Sequence, residues 1–152
     1  MRTYLIYLSL FCTALPLAAQ SLRLLPAYTH DIEVTSDNDG ELSLSTTGND
    51  PQVVFEIEGA KVANRGAYFL AFEYFSPDGV DFVEVFYADG RPFNWSQSRQ
   101  LEGGSLPKAE TWQPHSIDLQ LGSKGKWTAN DRFIRIDFGR SPGLKLQIRQ
   151  LK

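Results

Sequence analysis

The sequence predicts an all-β protein, an antiparallel β-sandwich or jelly roll. Short stretches alternate apolar and polar residues with a period of two, and they are rich in β-branched and aromatic residues. Clusters of Gly, Pro, Asn and Asp separate these stretches, and no amphipathic helix of about ten residues or more is visible. Many short strands with no helices between them are typical of sandwiches and jelly rolls.

Six stretches show the strand pattern most clearly, and each has two faces because neighbouring side chains of a strand point to opposite sides. In chain order they are ELSLSTT (41–47), QVVFEIE (52–58), AYFLAFEYF (67–75), VDFVEVFYA (80–88), DRFIRIDFG (131–139) and LKLQIRQL (144–151). One face is apolar throughout, and we expect it to form the core: Tyr68, Leu70, Phe72, Tyr74, Val83, Val85, Ile134, Ile136 and Phe138.

The opposite face of these strands mixes phenylalanines with charged residues. It carries Phe69, Glu73, Phe75, Phe82, Glu84, Phe86, Phe133, Arg135 and Asp137. The simpler interpretation is a partly covered face on which Arg135 pairs with a glutamate, since cross-strand charge pairs are common in sheets. The alternatives are a concave ligand-binding face and a docking face for a protein partner around Phe82, Glu84 and Arg135.

Residues 1–19 predict a secretory signal peptide, and residues 20–152 a single β-sandwich domain. Arg2 precedes the apolar run YLIYLSLFCTALPLAA, and no acidic residue occurs before Asp31. We expect cleavage after Ala18 or Ala19, with export to the periplasm, the cell surface or the medium. An uncleaved anchor is the alternative, although the run is slightly short to span a bilayer. Lipidation of Cys12 is disfavoured because a bulky Phe11 precedes it.

Cleavage would remove Cys12, the only cysteine, so neither disulfides nor thiolate chemistry is expected in the domain. The formal net charge of the whole chain is −3, and the lysines and arginines form no cluster. Nucleic-acid binding requires basic groups that neutralise phosphates. Composition therefore argues against a nucleic-acid partner, and no membrane span follows the leader.

Catalytic motifs are absent from the sequence. His30 and His115 do not have the spacing of a zinc site, and neither a nucleophile elbow nor a phosphate-binding glycine loop is present. Glu73 and Glu84 form the only plausible carboxylate pair for glycoside hydrolysis. A small hydrolase that uses this pair is therefore an alternative to a non-catalytic protein.

Oxygen-rich loops raise the possibility of structural calcium, while no other cofactor is expected. The candidate ligands are Asp37 and Asp39 beside Gly40, together with Asp50 in TTGNDP. Asp, Asn and Gly are also ordinary turn residues. The turn interpretation is favoured.

Two loops combine tryptophan with polar residues in the way that carbohydrate sites do. Such sites stack a sugar on an aromatic ring and bind its hydroxyls with carboxylates, amides and arginines. In the loop ADGRPFNWSQS (88–98), Trp95 is the candidate platform, and the candidate partners of the sugar hydroxyls are Asp89, Arg91, Asn94 and Gln97. The loop GKWTAND offers a second set of the same kind, which consists of Trp127, Asn130 and Asp131. We expect Trp112 to pack at a sandwich edge rather than to bind a ligand. The alternative for Trp95 is a lid over the core.

Several motifs occur in an order that resembles a known family. They are LSLSTTGNDPQVVFEI, YFLAFEYFS, VEVFYADG, TWQPHSIDL, FIRIDFG and LKLQIRQLK, and they cover roughly residues 40–152. Together they resemble the galactose-binding-like β-sandwich domain of secreted Bacteroidetes proteins, often N-terminal in carbohydrate-active enzymes. In the family's final motif an asparagine stands where this sequence has Gln150. In that family a catalytic domain usually follows the position of Lys152, where this sequence ends, so we expect either a stand-alone module or a truncated longer protein.

The resemblance implies a jelly-roll fold and an accessory, carbohydrate-binding role, but it carries over no ligand residue. Our leading hypothesis is therefore an exported, non-catalytic module that binds glycan through loop aromatics. A structural or protein-interaction sandwich of the cell envelope is the first alternative, and the small hydrolase is the second.

Overall fold

The computed structural model describes residues 21–36, 40–58 and 69–152, and within them the chain forms two five-stranded antiparallel sheets. Side chains from both sheets meet in one hydrophobic core. The all-β sandwich prediction is therefore confirmed. The predicted signal peptide (1–19), Tyr68, Asp37 and Asp39 lie outside the described residues.

The described elements are ten strands, one short α-helix and two 3-10 turns. The strands are β1 (Leu22–Leu24), β2 (Ile32–Ser36), β3 (Leu42–Thr46), β4 (Gln52–Ile57), β5 (Phe69–Ser76), β6 (Val80–Ala88), β7 (Gln100–Leu106), β8 (Ala109–Asp118), β9 (Phe133–Phe138) and β10 (Lys145–Arg149). Helix α1 covers Leu119–Gly122, and the 3-10 turns cover Pro26–Tyr28 and Gln97–Arg99. In the described ranges no helix is long and apolar enough to cross a membrane.

The two sheets draw their strands from distant parts of the chain. Sheet A has the order β1-β4-β9-β6-β7, and sheet B has the order β2-β3-β10-β5-β8. In sheet A, Ile136 lies opposite both Val53 and Val85, and in sheet B, Ile148 lies opposite Tyr74. These registers align the apolar positions of neighbouring strands, which puts one face of each sheet into the core.

The predicted core residues within the described ranges are all buried. They are Leu70, Phe72, Tyr74, Val83, Val85, Ile134, Ile136 and Phe138, each at most 4 % exposed. This part of the prediction is confirmed because a period of two separates inward from outward positions, whichever sheet a strand joins.

The single mixed face predicted from the sequence is wrong, because β5 and β6 lie in different sheets. Phe69, Glu73 and Phe75 occupy the outer face of sheet B, whereas the residues from β6 and β9 occupy the outer face of sheet A. The turn between β5 and β6 carries the chain across the sandwich. Gly79 in this turn has φ +75°, and a Cβ there would lie 3.1 Å from the Leu106 carbonyl oxygen, so glycine permits this close crossing.

Candidate functional site

The loop that follows β6 folds back onto the outer face of sheet A. Phe93 and Trp95 pack on a small apolar cluster formed by Leu25, Val54, Ala88 and Phe133. The rings of Phe93 and Trp95 are stacked, with centroids 4.9 Å apart and an interplanar angle of 28°. Trp95 is therefore half-buried, and Phe93 occupies one face of its indole.

Arg91 fastens this loop to the sheet. Its guanidinium carbon lies 5.1 Å from the ring centroids of both Tyr28 and Phe133 and 5.4 Å from that of Phe93. One guanidinium nitrogen lies 3.6 Å from a carboxylate oxygen of Glu56, and another donates a hydrogen bond of 3.3 Å to the Tyr28 hydroxyl. The guanidinium thus has several partners within the protein, while the side chain is 44 % exposed.

The remaining polar candidates of this loop face solvent. Asp89, Asn94 and Gln97 are exposed. No hydrogen bond or ion pair joins their side chains to Trp95 among the described contacts. The loop therefore offers exposed polar groups beside a capping tryptophan.

Trp127 is a core residue, contrary to its predicted role as a platform. Only 4 % of its surface is exposed, and its ring packs edge-to-face on Tyr87 at 5.5 Å. The Trp127 amide donates a hydrogen bond of 2.9 Å to Ser123 Oγ, which fixes the backbone of this turn. Asn130 is exposed nearby, but the buried indole presents no face to a ligand.

Asp131, the third member of that loop set, is completely buried and structural. Arg99 pairs with its carboxylate, and the Thr128 amide donates a hydrogen bond of 2.7 Å to it. Burial raises the Asp131 pKa, while the Thr128 hydrogen bonds and the Arg99 charge lower it. The carboxylate thus links the 3-10 turn Gln97–Arg99 to the loop that precedes β9.

Arg135 pairs with Asp137 and not with a glutamate, so that expectation is wrong. Its Nε and Nη2 donate bonds of 2.8 and 2.6 Å to the two Asp137 carboxylate oxygens. The guanidinium carbon also lies 4.1 Å from the Phe86 ring centroid and 5.9 Å from that of Trp95. Burial raises the Asp137 pKa to about 6, although its hydrogen bonds with Arg135 oppose the shift.

These contacts leave little of the predicted Phe82/Glu84/Arg135 docking face open. The Arg135 side chain is 13 % exposed, and the Arg140 guanidinium lies 4.5 Å from the Phe82 ring centroid. Glu84 is half-buried beside Asp137. A protein partner on this face stays a prediction without a matching surface feature.

The interpretation of Glu73 and Glu84 as a catalytic pair is wrong. Glu73 lies on the outer face of sheet B, Glu84 lies on the outer face of sheet A, and the core separates them. The Glu73 carboxylate also accepts a bond of 2.6 Å from Arg149 Nε. Two carboxyl groups must flank one glycosidic bond, and this pair cannot do so.

The outer face of sheet B holds an aromatic and charged cluster that the sequence did not reveal as a unit. Phe75 and Trp112 have ring centroids 6.3 Å apart. The Arg149 guanidinium carbon lies 4.2 Å from the Trp112 centroid, and Glu73 holds Arg149 in place. Trp112 is half-buried on the edge strand β8, as predicted, but its ring belongs to the sheet surface.

A groove with both apolar and polar lining residues continues from this cluster across the other strands of sheet B. Its volume is about 320 Å³, and Phe75 forms one wall. Leu44, Leu146 and Pro77 also line it. Its hydroxyl, amide and charged lining side chains are Glu33, Thr35, Ser43, Ser45, Lys145 and Gln147. The groove thus places hydrogen-bonding groups beside an aromatic surface, which is the combination expected of a small-molecule or sugar site.

The sequence contains one signal for this surface, in the last strand, β10. In KLQIR, alternation puts Lys145, Gln147 and Arg149 on the face opposite the buried Leu146 and Ile148. The sequence could not show that this strand lies beside β5, because that pairing joins residues 76 positions apart. The three polar side chains therefore looked like an ordinary solvent face.

Calcium binding stays a prediction. In the described part of the chain, no group of three or more His, Cys, Asp or Glu side chains could hold a metal ion. Asp50 is exposed, its carboxylate accepts a bond from the Gln52 amide, and its own amide donates to Asp31. These are the contacts of a turn.

Comparisons with solved structures agree with the fold. No protein-family model and no curated protein matches the sequence. The chain is similar to a family 11 carbohydrate-binding module from Clostridium thermocellum, which was solved in complex with a β-1,3-1,4-mixed-linked tetrasaccharide. The TM-score of this match is 0.55 and the sequence identity is 11 %, and the match covers 88 % of this chain and 95 % of that one. It is also similar to a family 29 module from Piromyces equi, with a TM-score of 0.51, 10 % identity, and coverage of 87 % and 83 %. At these identities, the likeness shows the β-sandwich fold.

Proposed function

We propose that this protein is an exported, non-catalytic module that binds carbohydrate on the outer face of sheet B. The observation that carries the proposal is the arrangement of Trp112 and Phe75 beside the groove and its hydrogen-bonding side chains, with the Arg149–Glu73 pair adjacent. The similar solved structures named above are carbohydrate-binding modules, which supports this assignment.

The chemistry of this face suits a sugar. Aromatic rings cover the apolar face of a pyranose, and amide, hydroxyl and guanidinium groups exchange hydrogen bonds with its hydroxyls. Gln147 and Ser43 supply such groups within the groove. Because these residues lie on paired strands, their spacing is set by the sheet and little ordering is needed on binding.

The loop predicted from the sequence has a different role in this proposal. Trp95 and Arg91 are engaged by other side chains, so we assign them to capping sheet A. Asp89 and Asn94 stay exposed and could still contact a ligand. The loop is therefore the comparison site in the binding test.

Affinity electrophoresis in gels that contain mixed-linkage β-glucan, xylan, glucomannan or laminarin tests the proposal. Wild type should be retarded by at least one polysaccharide, and Trp112→Ala should lose that retardation because the platform is gone. Trp95→Ala is the matched control, a half-buried tryptophan on the opposite outer face, and it should behave as wild type. Retardation lost only in Trp95→Ala would move the site to the loop. If no polysaccharide or broader glycan array retains wild type, carbohydrate binding is rejected.

Export is tested separately by N-terminal sequencing of the protein recovered from the periplasm or medium. Cleavage after Ala19 gives a chain that begins at Gln20, and cleavage after Ala18 gives one that begins at Ala19. A chain that retains Met1 in the cytoplasm would contradict the signal peptide.

A further inference from the structure

We infer that the site binds an internal stretch of a linear, neutral polysaccharide that lies across the strands of sheet B. This inference rests on the proposed function and specifies its ligand class. It follows from the strand register, the width of the sheet and the balance of charge along the groove.

The register places one continuous row of side chains across the sheet. Gln147 lies opposite Phe75 on one side and opposite Ser43 on the other, and Ser43 lies opposite Thr35. Trp112 continues the row beyond Phe75 on β8. All these side chains share the outer face, since paired residues of neighbouring strands point the same way.

The length of this row exceeds a single sugar ring severalfold. The row spans five strands, and four spacings of about 4.8 Å between neighbouring strands give about 19 Å from β2 to β8. Both β2 and β8 are edge strands of sheet B among the described residues. A chain that follows the row can therefore extend past either edge, so the site accepts internal segments and needs no chain end.

The charges along the site balance each other. Arg149 is paired with Glu73. In the neighbouring row, Glu33 and Lys145 lie on either side of Ser45, to which both are registered. A polyanion would gain from Lys145 but would meet Glu33 and Glu73. The surface therefore favours an uncharged chain whose hydroxyls can bond to either kind of group.

Isothermal titration calorimetry with oligosaccharides of one to six units tests the inference. The probes are linear β-1,4-glucan, β-1,4-xylan, β-1,4-mannan and β-1,3-glucan oligosaccharides, with polygalacturonate oligomers as the charged comparison. Affinity should rise with length through three or four units and then level off. A monosaccharide that binds as tightly as the hexamer, or tighter binding of polygalacturonate, would overturn the inference while leaving carbohydrate binding intact. Failure of every saccharide to bind would overturn both.

Variants locate the far end of the row. Gln147→Ala and Thr35→Ala should each weaken binding of the longest oligosaccharide about tenfold through the lost hydrogen bonds. Binding of a disaccharide on the aromatic end should be unchanged in Thr35→Ala. Gln100→Ala is the matched control, a half-buried glutamine on a strand of sheet A. Equal losses for long and short ligands in Thr35→Ala would also overturn the extended site.

Discussion

Asp137 lies on the outer side of sheet A, yet it is buried and has a raised pKa. It is 4 % exposed, and among the described contacts Arg135 is the one partner that bonds to its carboxylate, while Asp50 and Glu84 add negative charge nearby. Desolvation is the largest cause of its raised pKa, and the two acids add to it. The folded protein therefore holds a proton on this group more tightly than the unfolded chain does.

This difference predicts a pH effect opposite to ordinary acid denaturation. The Asp137 pKa rises from 3.8 to about 6 on folding, so the stability linked to this group is fully present below pH 4 and is lost as pH rises through 6. The total change is at most about 3 kcal/mol. Urea unfolding of wild type and Asp137→Asn should show wild type losing stability relative to the variant between pH 4 and 7.5. Asp78→Asn, at an exposed site, is the control; a constant difference between wild type and Asp137→Asn would contradict the effect.

The three tryptophans should respond differently to a soluble quencher. Trp127 is buried on Tyr87, whereas Trp95 and Trp112 are half-buried on opposite outer faces. Acrylamide should therefore quench a variant that retains only Trp127 much less than variants that retain only Trp95 or only Trp112.

Unfolding free energy gives a second test of the same placement. Trp127→Ala should cost about 3–5 kcal/mol, as for other large buried aromatics. Trp95→Ala should cost clearly less because part of its ring already contacts solvent. Strong quenching of Trp127 or a small loss in Trp127→Ala would be inconsistent with its burial.

At the scale of elements, the loop after β6 is a cap that an arginine holds in place. Arg91 contacts the rings of Tyr28, Phe93 and Phe133, so one cation joins the 3-10 turn, the loop and β9. Of these rings, Phe133 is buried and Phe93 half-buried, while Tyr28 stays exposed. Turn-forming residues in the sequence predicted a loop here, but the cap depends on how that loop meets the sheet.

Removing this cation should loosen the cap without unfolding the sandwich. Each exposed cation–π contact contributes about 0.5–1 kcal/mol, so Arg91→Met should cost about 1–2 kcal/mol. Amide hydrogen exchange should accelerate within residues 89–96 while the core strands stay protected. Arg140→Met, which removes a contact with Phe82 alone, should change less. Uniform acceleration throughout the molecule would show that Arg91 supports the whole fold.

At the scale of the whole molecule, the sandwich separates two outer faces with different contents. Sheet A is partly covered by its own loop, and sheet B presents an aromatic surface and a groove. The buried core lies between the two faces, and no side chain contacts both Trp95 and Trp112 among the described contacts. The faces should therefore act independently.

A double-variant cycle tests this independence. The losses of unfolding free energy in Trp95→Ala and Trp112→Ala should add in the double variant to within about 0.5 kcal/mol. Coupling energies well above that value, measured by urea unfolding, would mean that a change on one face is transmitted through the core to the other.

The sequence alone predicted much of the fold. It placed β6 at residues 80–88 and located β4 and β5 closely, because buried strands alternate strongly. It missed β1, β2, β7 and β8. In β7, Gly103 and Gly104 interrupt the pattern, yet a Cβ at Gly103 would lie 2.8 Å from Ile117 Cδ1, so glycine is needed for the packing.

The sequence by itself determined the fold class and which side chains of the predicted strands point inward, since alternation depends only on backbone geometry. Only the tertiary structure decided which sheet each strand joins, because pairing depends on contacts between residues far apart in the chain. That decision separated Glu73 from Glu84, buried Trp127, turned Trp95 into a cap, and brought Trp112, Phe75 and Arg149 together on one open face.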